Sequence, residues 1–192
     1  MNICELQHKY PLQNLINQTR IKSVVGNDLA YIHYEFGTLL GREILGAQPK
    51  VYKEQQLTQG KNENLAYYDD SNFTIVGIMR AGLYVAEGLR VVFPKAAFYL
   101  TKEPKELKLE SACLNKVIIA DSVINTGETM LAFLESMCAK ECYIAANVIY
   151  EQSTDKILKY YPNVHIFAIR VSKNSYVGQG GSDTGNRLFC TM

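Results

Sequence analysis

The chain has 192 residues, of which 47% are hydrophobic and 20% charged, and its formal net charge is +1 at pH 7. This length allows one domain with a sizeable core, and the composition is that of an ordinary globular protein. There is no basic run of the kind that binds nucleic acid, although a local cationic pocket remains possible. No apolar stretch approaches the roughly 18 residues of a membrane span, and the N-terminus lacks a signal-peptide core. We therefore expect a cytoplasmic protein without membrane contacts.

The first third of the chain contains one clear helix. Residues 1–26 are weakly periodic, and a helix is predicted from an Asn27-Asp28 cap to about Ile44. Its apolar residues recur at helical spacing: Leu29, Ile32, Phe36, Leu39 and Leu40. His33 is interpreted as a packing residue of this helix. Residues 46–72 form a polar connection, with a short strand near 51–53 and a turn at 60–64. Because no boundary separates two cores, a single domain over residues 1–192 is predicted.

The next stretch combines a buried strand with a cationic turn. Residues 74–79 are apolar and predict a strand, Arg80-Ala81-Gly82 predicts a tight turn, and residues 83–92 predict a helix. A cation at the end of a strand, followed by glycine and the start of a helix, is typical of an anion-binding turn. The alternative is that Arg80 is an ordinary surface charge. A further strand is predicted at 96–100, before a charged stretch that contains Lys102.

The stretch from Lys116 to Met130 predicts a phosphate site. Residues 117–120 are apolar and β-branched, Asp121 stands where the run stops, and a helix follows from Met130. The intervening loop, Asn125 to Thr129, offers backbone amides and hydroxyls beside a helix N-terminus. It matches neither the G-x-x-x-x-G-K-[ST] nor the G-x-G-x-x-G motif. In the alternative interpretation these polar residues only cap the helix.

The remaining elements complete an α/β pattern. Strands are predicted at 143–150 and 164–171, with a helix at 154–161 between them. Alternating strands and helices predict a twisted parallel sheet flanked by helices, with ligands beyond the carboxyl ends of the strands. Arg80 and Asp121 both stand at such ends. The C-terminal stretch from Tyr176 to Thr191 contains four glycines and suits either a loop over a flat ligand or an unstructured tail.

Three of these stretches together resemble the uracil phosphoribosyltransferases, a type I phosphoribosyltransferase family. Met79 to Leu83 is similar to the family's Leu-Arg-Ala-Gly-Leu turn, and Asp121 with Thr126-Gly127-x-Thr129 is similar to its ribose-phosphate loop. The C-terminal family pattern is matched without a gap at Tyr176, Gly180, Asp183, Gly185, Arg187, Phe189 and Thr191.

The resemblance implies a fold and a reaction. It implies the type I phosphoribosyltransferase fold, with a small C-terminal hood formed mainly by about residues 172–192. The implied enzyme is a pentosyltransferase that converts uracil and phosphoribosyl pyrophosphate to UMP and pyrophosphate. The implied cofactor is Mg²⁺, carried with phosphoribosyl pyrophosphate, and the implied assembly is a homo-oligomer, commonly a dimer. No metal site made by the protein alone and no nucleic-acid partner is expected.

The resemblance also implies roles for individual residues. The implied catalytic residues are Arg80, Asp121 and Asp183. The residues implied to bind phosphoribosyl pyrophosphate are Arg80, Ala81, Gly82, Lys102, Asp121, Ser122, Asn125, Thr126, Gly127, Glu128 and Thr129. Those implied to bind uracil are Tyr176, Val177, Gly178, Ser182, Asp183 and Thr184.

Departures from the family pattern indicate a divergent member. Ser122 replaces a proline, Glu128 a glycine and Asn186 an aspartate, and Gly178-Gln179 replace an aliphatic residue and a proline. Residues 100–104 replace an aromatic-Arg-Asn-Glu-Glu-Thr pattern, and Lys102 is expected to substitute for the lost arginine. The alternative function is therefore a weak or inactive relative that binds a nucleotide and regulates. The base is uracil or another oxo-pyrimidine.

Overall fold

The computed structural model describes residues 2–107, 114–176 and 178–191. Within these ranges lie eight strands and six helices. The strands are β1 Ile3–Glu5, β2 Lys50–Gln56, β3 Asn62–Tyr68, β4 Phe73–Ile78, β5 Ala97–Thr101, β6 Leu114–Ile124, β7 Ala139–Tyr150 and β8 His165–Ser172. The helices are α1 Gln13–Arg20, α2 Gly26–Gly46, α3 Leu83–Val92, α4 Glu128–Ser136, α5 Glu151–Tyr160 and α6 Thr184–Phe189. Short 3₁₀ turns occur at Pro104–Glu106 and Gly180–Ser182.

Six strands form one parallel sheet, and the other two form a separate hairpin. The order in the sheet is β1-β8-β7-β6-β4-β5, and every neighbouring pair is parallel. β2 and β3 pair with each other in antiparallel fashion, outside this sheet. The predicted α/β class with a parallel sheet flanked by helices is confirmed.

Both faces of the sheet are covered. On one face Phe36 of α2 and Leu89 of α3 pack with Ile118 of β6, and on the other Phe133 of α4 and Ile157 of α5 pack with the neighbouring Ile119. All these side chains are buried, because adjacent residues of a strand point to opposite faces. This explains why the central strands are continuous apolar runs in the sequence.

Four local predictions need correction. The strand predicted to stop before Asp121 continues to Ile124, so Asp121 lies inside β6 rather than beyond its end. Helix α2 begins at Gly26 without a side-chain cap, rather than at an Asn27-Asp28 cap. The turn predicted at 60–64 is shorter, because residues 62–68 form β3. The weakly periodic N-terminus contributes β1, which lies parallel to β8.

In the described ranges, no helix is long and apolar enough to cross a membrane.

Helices α2 and α3 cross in direct backbone contact. A Cβ atom built on Gly37 would lie 2.2 Å from the carbonyl oxygen of Val85, and one on Gly88 would lie 2.2 Å from that of Tyr34. Such distances are far inside van der Waals contact, so both positions require glycine. The crossing places the N-terminal end of α3, and with it the Arg80 turn, against the sheet.

We predict that Gly37→Ala lowers the free energy of unfolding by about 1–3 kcal/mol, because the added methyl group forces the two helices apart. The matched control is Gly46→Ala at the end of the same helix, where an added Cβ meets nothing within 4 Å. This control should leave stability unchanged or raise it slightly. Urea unfolding followed by circular dichroism measures both. Equal stability of the two variants would contradict the close crossing.

Candidate active site

The turn after β4 and the middle of β6 meet at one edge of the sheet. A Cβ atom on Gly82 would lie 2.5 Å from the carbonyl oxygen of Ala120 and 3.1 Å from the Cα atom of Asp121. The same atom would lie 2.6 Å from the carbonyl oxygen of Ile78. The absence of a side chain at Gly82 therefore lets the Arg80-Ala81-Gly82 turn rest on the backbone beside Asp121. These two predicted parts of the site are adjacent.

The side chain of Arg80 joins this turn to the C-terminal segment. Its Nη1 donates to Thr191 Oγ1 at 3.0 Å, and its Nη2 donates to Asn186 Oδ1 at 2.8 Å. The guanidinium carbon lies 5.7 Å from the ring centroid of Phe189. All three partners are neutral, so the positive charge of Arg80 is not cancelled by an ion pair. The side chain remains exposed, which leaves it open to an anion.

Asp121 is a carboxylate in a poorly solvated position. Its Oδ1 accepts from the backbone amide of Ser122 at 2.7 Å, and the amide of Val123 also stabilises the charge. Desolvation is the larger effect and raises the pKa of Asp121 to about 7. Near neutral pH the carboxyl therefore exists in both protonation states. A hydroxyl donor or a cation beside it would favour the charged form.

The predicted phosphate loop follows β6. Gly127 has φ of 74°, a left-handed conformation that glycine adopts without strain, and it precedes α4 without supplying a side-chain cap. The carbonyl group of Asn125 accepts from the hydroxyl of Ser153, and its Oδ1 accepts from the amide of Tyr176 at 3.2 Å. These contacts hold the loop between α5 and the C-terminal segment.

The side chains of Glu128 and Thr129, at the end of this loop, are exposed. Glu128 Oε1 lies 3.9 Å from Lys156 Nζ, and its side chain is 77% exposed. The carboxylate is thus directed towards α5. Thr129 is also exposed. Neither side chain adds an anion to the space that the loop amides face.

The C-terminal segment is folded rather than an unstructured tail. Asp183 Oδ1 accepts from the amide of Asn186 at 2.8 Å and caps α6. Tyr176 donates its hydroxyl to the carbonyl of Ser182, so the segment closes on itself. Gly178 packs against the Tyr176 side chain, because a Cβ atom on Gly178 would lie 2.9 Å from the Tyr176 hydroxyl oxygen. Val177 lies outside the described residues.

The segment is docked on the N-terminal third of the chain. The buried guanidinium of Arg187 donates to three carbonyl groups, those of Thr19, Ile21 and Val24, at 2.7–2.8 Å. Leu188 packs with Leu29 of α2 in a small apolar cluster. The position of the segment over the sheet edge is therefore set by a buried cation and by packing.

Lys102 lies beside the Arg80 turn. The amide of Met79 donates to the carbonyl of Thr101 at 2.8 Å, which brings the end of β5 next to the turn. Glu106 Oε2 accepts from the amide of Lys102 at 2.9 Å and fixes the short 3₁₀ turn that follows. The Lys102 side chain is exposed at the same sheet edge as Arg80.

A cavity of about 370 Å³ lies beneath the C-terminal segment. We call it the base-side cavity. The predicted site residues that line it are Ser122, Tyr176, Ser182 and Thr184. Arg80, Asp121 and the loop from 125 to 129 do not line it. The predicted residues thus form two neighbouring groups, one at the turn and phosphate loop and one around the cavity.

Sequence reasoning missed two residues of this cavity. His33, 2% exposed, lies with Nε2 2.7 Å from Ser122 Oγ and Nδ1 2.8 Å from the Leu29 carbonyl oxygen. Burial lowers the pKa of His33 to about 4, so the ring is neutral, donates from Nδ1 and accepts from Ser122. Asn147 Nδ2 lies 3.5 Å from the same hydroxyl. Ser122 is therefore turned into the interior, away from the phosphate loop. A buried polar residue within an apolar pattern was the available signal.

Comparison with known proteins agrees with the geometry. A family model described as uracil phosphoribosyltransferase matches residues 6–191. The chain belongs to the uracil phosphoribosyltransferase family. It is thereby an enzyme of the pentosyltransferase class of glycosyltransferases.

Individual relatives support the same family membership. A uracil phosphoribosyltransferase of Sulfurisphaera tokodaii is 30% identical over 181 residues, which cover 80% of this chain and 83% of the relative. A uracil phosphoribosyltransferase of Clostridioides difficile is 27% identical over 206 residues, which cover 97% of this chain and 94% of the relative. The solved structure of the AQ2163 protein from Aquifex aeolicus has a TM-score of 0.80 at 24% identity, with 97% of each chain covered, and shows the same fold. These identities are consistent with a divergent member.

We predict that Asp121→Asn changes the pH dependence of stability. Because the pKa of Asp121 is raised on folding, the native state binds a proton more tightly than the unfolded chain between about pH 4 and 7. This group therefore lowers stability as pH rises through that window, by up to about 4 kcal/mol. The variant lacks the effect and should gain stability relative to the wild type at pH 8 but not at pH 4.5. Urea unfolding at pH 8 and at pH 4.5 measures the free energy of unfolding of both proteins. An equal difference between variant and wild type at the two pH values would contradict the raised pKa.

Proposed function

We propose that the protein transfers the 5-phosphoribosyl group of phosphoribosyl pyrophosphate to N1 of uracil, releasing pyrophosphate and forming UMP. The observation that carries this proposal is the meeting of the Arg80 turn with Asp121 and its phosphate loop beneath a docked C-terminal segment. Membership in the family favours the enzyme over the alternative of a nucleotide-binding regulator. An assay of pyrophosphate release with a panel of free bases tests the proposal directly.

The loop from Asn125 to Thr129 binds the 5′-phosphate. The left-handed Gly127 lets the backbone approach the phosphate, and the first amides of α4 direct positive potential to the same place. The outward position of Glu128 keeps its charge away from the dianion. Thr126 and Thr129 add hydroxyl donors. The loop thus anchors one end of the substrate.

Asp121 holds the ribose hydroxyls at the centre of the site. A ribose hydroxyl that donates to the carboxylate favours its charged form and lowers its pKa from the value in the free protein. The ionised group then favours the positive charge that develops on the ribose ring as the diphosphate leaves. Most of the rate enhancement comes from alignment of the two reactants on a rigid sheet edge.

Arg80 and Lys102 bind the departing diphosphate. The charge of Arg80 is not compensated by an ion pair, because its partners Asn186 and Thr191 are neutral. Where the family pattern has an aspartate, Asn186 holds the guanidinium without neutralising it. Lys102 supplies the second cation in place of the family arginine. Ala81 and Gly82 belong to the same turn, in which the amide of Gly82 donates to the carbonyl of Ile78 and the lack of a side chain at Gly82 lets the turn lie against β6.

The base binds under the C-terminal segment. Tyr176, Ser182 and Thr184 line the cavity there, and Val177, Gly178 and Asp183 belong to the same stretch of sequence. Backbone amide and carbonyl groups of this segment read the edge of the ring. Their positions are fixed by the Asp183 cap and by the Tyr176–Ser182 hydrogen bond.

Mg²⁺ is carried into the site with phosphoribosyl pyrophosphate. In the described part of the chain no group of three or more His, Cys, Asp or Glu residues could hold a metal ion. Mg²⁺ keeps several waters and is commonly held by substrate phosphates and one or two carboxylates. Asp183 has one carboxylate oxygen committed to the α6 cap, and its other oxygen is available to the metal-bound diphosphate or its waters. The ion reduces the negative charge of the leaving group.

The protein acts in the cytoplasm as a homo-oligomer, in the simplest case a dimer. The hairpin of β2 and β3 supports the homo-oligomer, because it lies outside the main sheet and exposes Tyr52, Tyr67 and Tyr68. Exposed aromatic side chains on one projecting element are typical of a protein–protein contact. Sedimentation of the protein with and without residues 50–68 tests it.

We predict that Arg80→Ala lowers kcat/KM by about two to three decades, since a charge-assisted contact to the leaving diphosphate is lost. The control is Thr191→Val, which removes one hood contact of Arg80 but keeps its charge, and which should cost less than about tenfold. Pyrophosphate release measures both variants. A loss of the same size in the two would assign Arg80 to holding the C-terminal segment rather than the diphosphate.

We predict that uracil is preferred over cytosine by about 100-fold or more in kcat/KM. Uracil offers an N3–H donor between two carbonyl groups, whereas cytosine has an acceptor at N3 and an amino group at C4. Two mismatched buried groups cost on the order of 1–3 kcal/mol each. Competition between the two bases at limiting phosphoribosyl pyrophosphate gives the ratio. Comparable use of cytosine would mean that the segment does not read the base edge.

A further inference from the structure

The base-side cavity extends past the residues assigned to the base. Besides Tyr176, Ser182 and Thr184, it is lined by Arg20 at the end of α1, by Lys22 after it, and by Arg170 of β8. We propose that this extension is an anion-binding subsite, in which Arg20, Lys22 and Arg170 receive a carboxylate or phosphate group. The proposal rests on the proposed function, because it places the subsite next to the bound pyrimidine.

The cations of the subsite are not neutralised by the protein. In the described ranges none of these three side chains has a carboxylate within 4.0 Å, and no Asp or Glu is among the residues lining the cavity. Glu5 acts on Arg170 electrostatically, but its Oε1 accepts from the amide of Val171 and from Gln7 Nε2. Three cations around one concave space without a matching acid are suited to an anionic ligand.

The surroundings of Arg170 disfavour its positive charge. Partial burial, and then the neighbouring guanidinium of Arg20, lower the pKa of Arg170 from its ordinary value. Both effects oppose the charged form, and a bound anion would reverse them by supplying opposite charge at short range. The two guanidinium groups are also suited to bidentate contact with a planar carboxylate or a phosphate.

The wall of the cavity contains buried polar groups without partners. Asn147 is 7% exposed, and its Oδ1 has no hydrogen-bond partner among the described residues. Arg187 is also 7% exposed, and its Nε has no hydrogen-bond partner within the described ranges. Unpaired buried polar atoms are rare in native proteins and mark sites that a ligand or water completes. Both residues line the base-side cavity, which is an observation independent of its charge.

The size of the cavity agrees with a ligand larger than uracil. Its volume of about 370 Å³ falls in the range of pockets that enclose drug-sized molecules, so a single pyrimidine ring leaves part of it unfilled. The anion is therefore either a substituent of the base itself, as in a pyrimidine carboxylate, or a separate small anion beside the base. Both sources offer the same chemistry to the three cations.

The decisive experiment is calorimetric titration with orotate, 5-carboxyuracil and inorganic phosphate, with uracil as the uncharged reference. Saturating ribose 5-phosphate occupies the loop at 125–129 throughout, so that phosphate cannot be counted there. The variants are Arg170→Gln and, should it fail to fold, Arg20→Gln. The control is Arg42→Gln on the exposed side of α2, which removes the same charge away from the cavity.

We expect at least one of the three anions to bind the wild type, and Arg170→Gln to weaken that binding about tenfold or more. Arg42→Gln should change it less than twofold, and uracil should bind all variants alike. A pyrimidine carboxylate that displaces uracil and binds more tightly assigns the anion to the base. Phosphate that binds together with uracil assigns it to a separate ligand.

Absence of binding for all three anions, or equal binding to the wild type and Arg170→Gln, would overturn the subsite. Uracil turnover by the wild type is measured in parallel. Normal turnover without an anion effect leaves the proposed function intact. Retained anion binding without uracil turnover would instead contradict the proposed function alone.

Discussion

The geometry of the site depends on the contact between Gly82 and the backbone of β6. β4 and β6 are paired in parallel with Gly77 opposite Ala120, and the turn after β4 is close enough to β6 that a Cβ on Gly82 would overlap the Ala120 carbonyl oxygen. The distance from Arg80 to Asp121 is therefore set by the register of two buried strands. The phosphate loop continues from β6, so it is positioned by the same register. The Arg80 turn, Asp121 and the loop at 125–129 thus share one rigid edge, which is the arrangement that the proposed alignment of two reactants requires.

Arg80 adds a second constraint, because it links this edge to the C-terminal segment. One terminal nitrogen of its guanidinium contacts Thr191 and the other contacts Asn186, while the exposed group retains further N–H donors. A lysine would have one ammonium group for both tasks, whereas the planar guanidinium can hold the segment and still face an anion. The segment is also held from the other side by Arg187, which is buried and saturates three carbonyl groups of residues 19–24. Two arginines thus fix the segment, Arg80 at the turn after β4 and Arg187 at residues 19–24.

The sequence predicted those parts of the fold and site that depend on local pattern. The buried strands were found because β-branched runs mark a sheet covered on both faces, and the turn at Arg80 and the loop at 125–129 were found because glycine and small polar residues mark a close backbone approach. What it missed depends on pairing across the fold. β1 has three residues and forms because β8 offers a free edge, and β3 forms because β2 lies opposite it. His33 has the helical spacing of a core residue, and nothing local shows that its partner is Ser122, 89 positions away.

The departures from the family pattern are accommodated by new partners rather than left unpaired. Ser122, in the place of proline, donates to His33, and Glu128, in the place of glycine, is directed towards Lys156. Asn186, in the place of aspartate, accepts from Arg80 and leaves its charge free for a ligand. A chain that was losing its ligand would gain no benefit from a neutral partner at Arg80 or from an acid directed away from the phosphate loop. Both changes preserve positive potential where we propose that the diphosphate and the 5′-phosphate bind, so the divergence of this chain is better explained by retuning at the base-side cavity than by loss of phosphoribosyl binding.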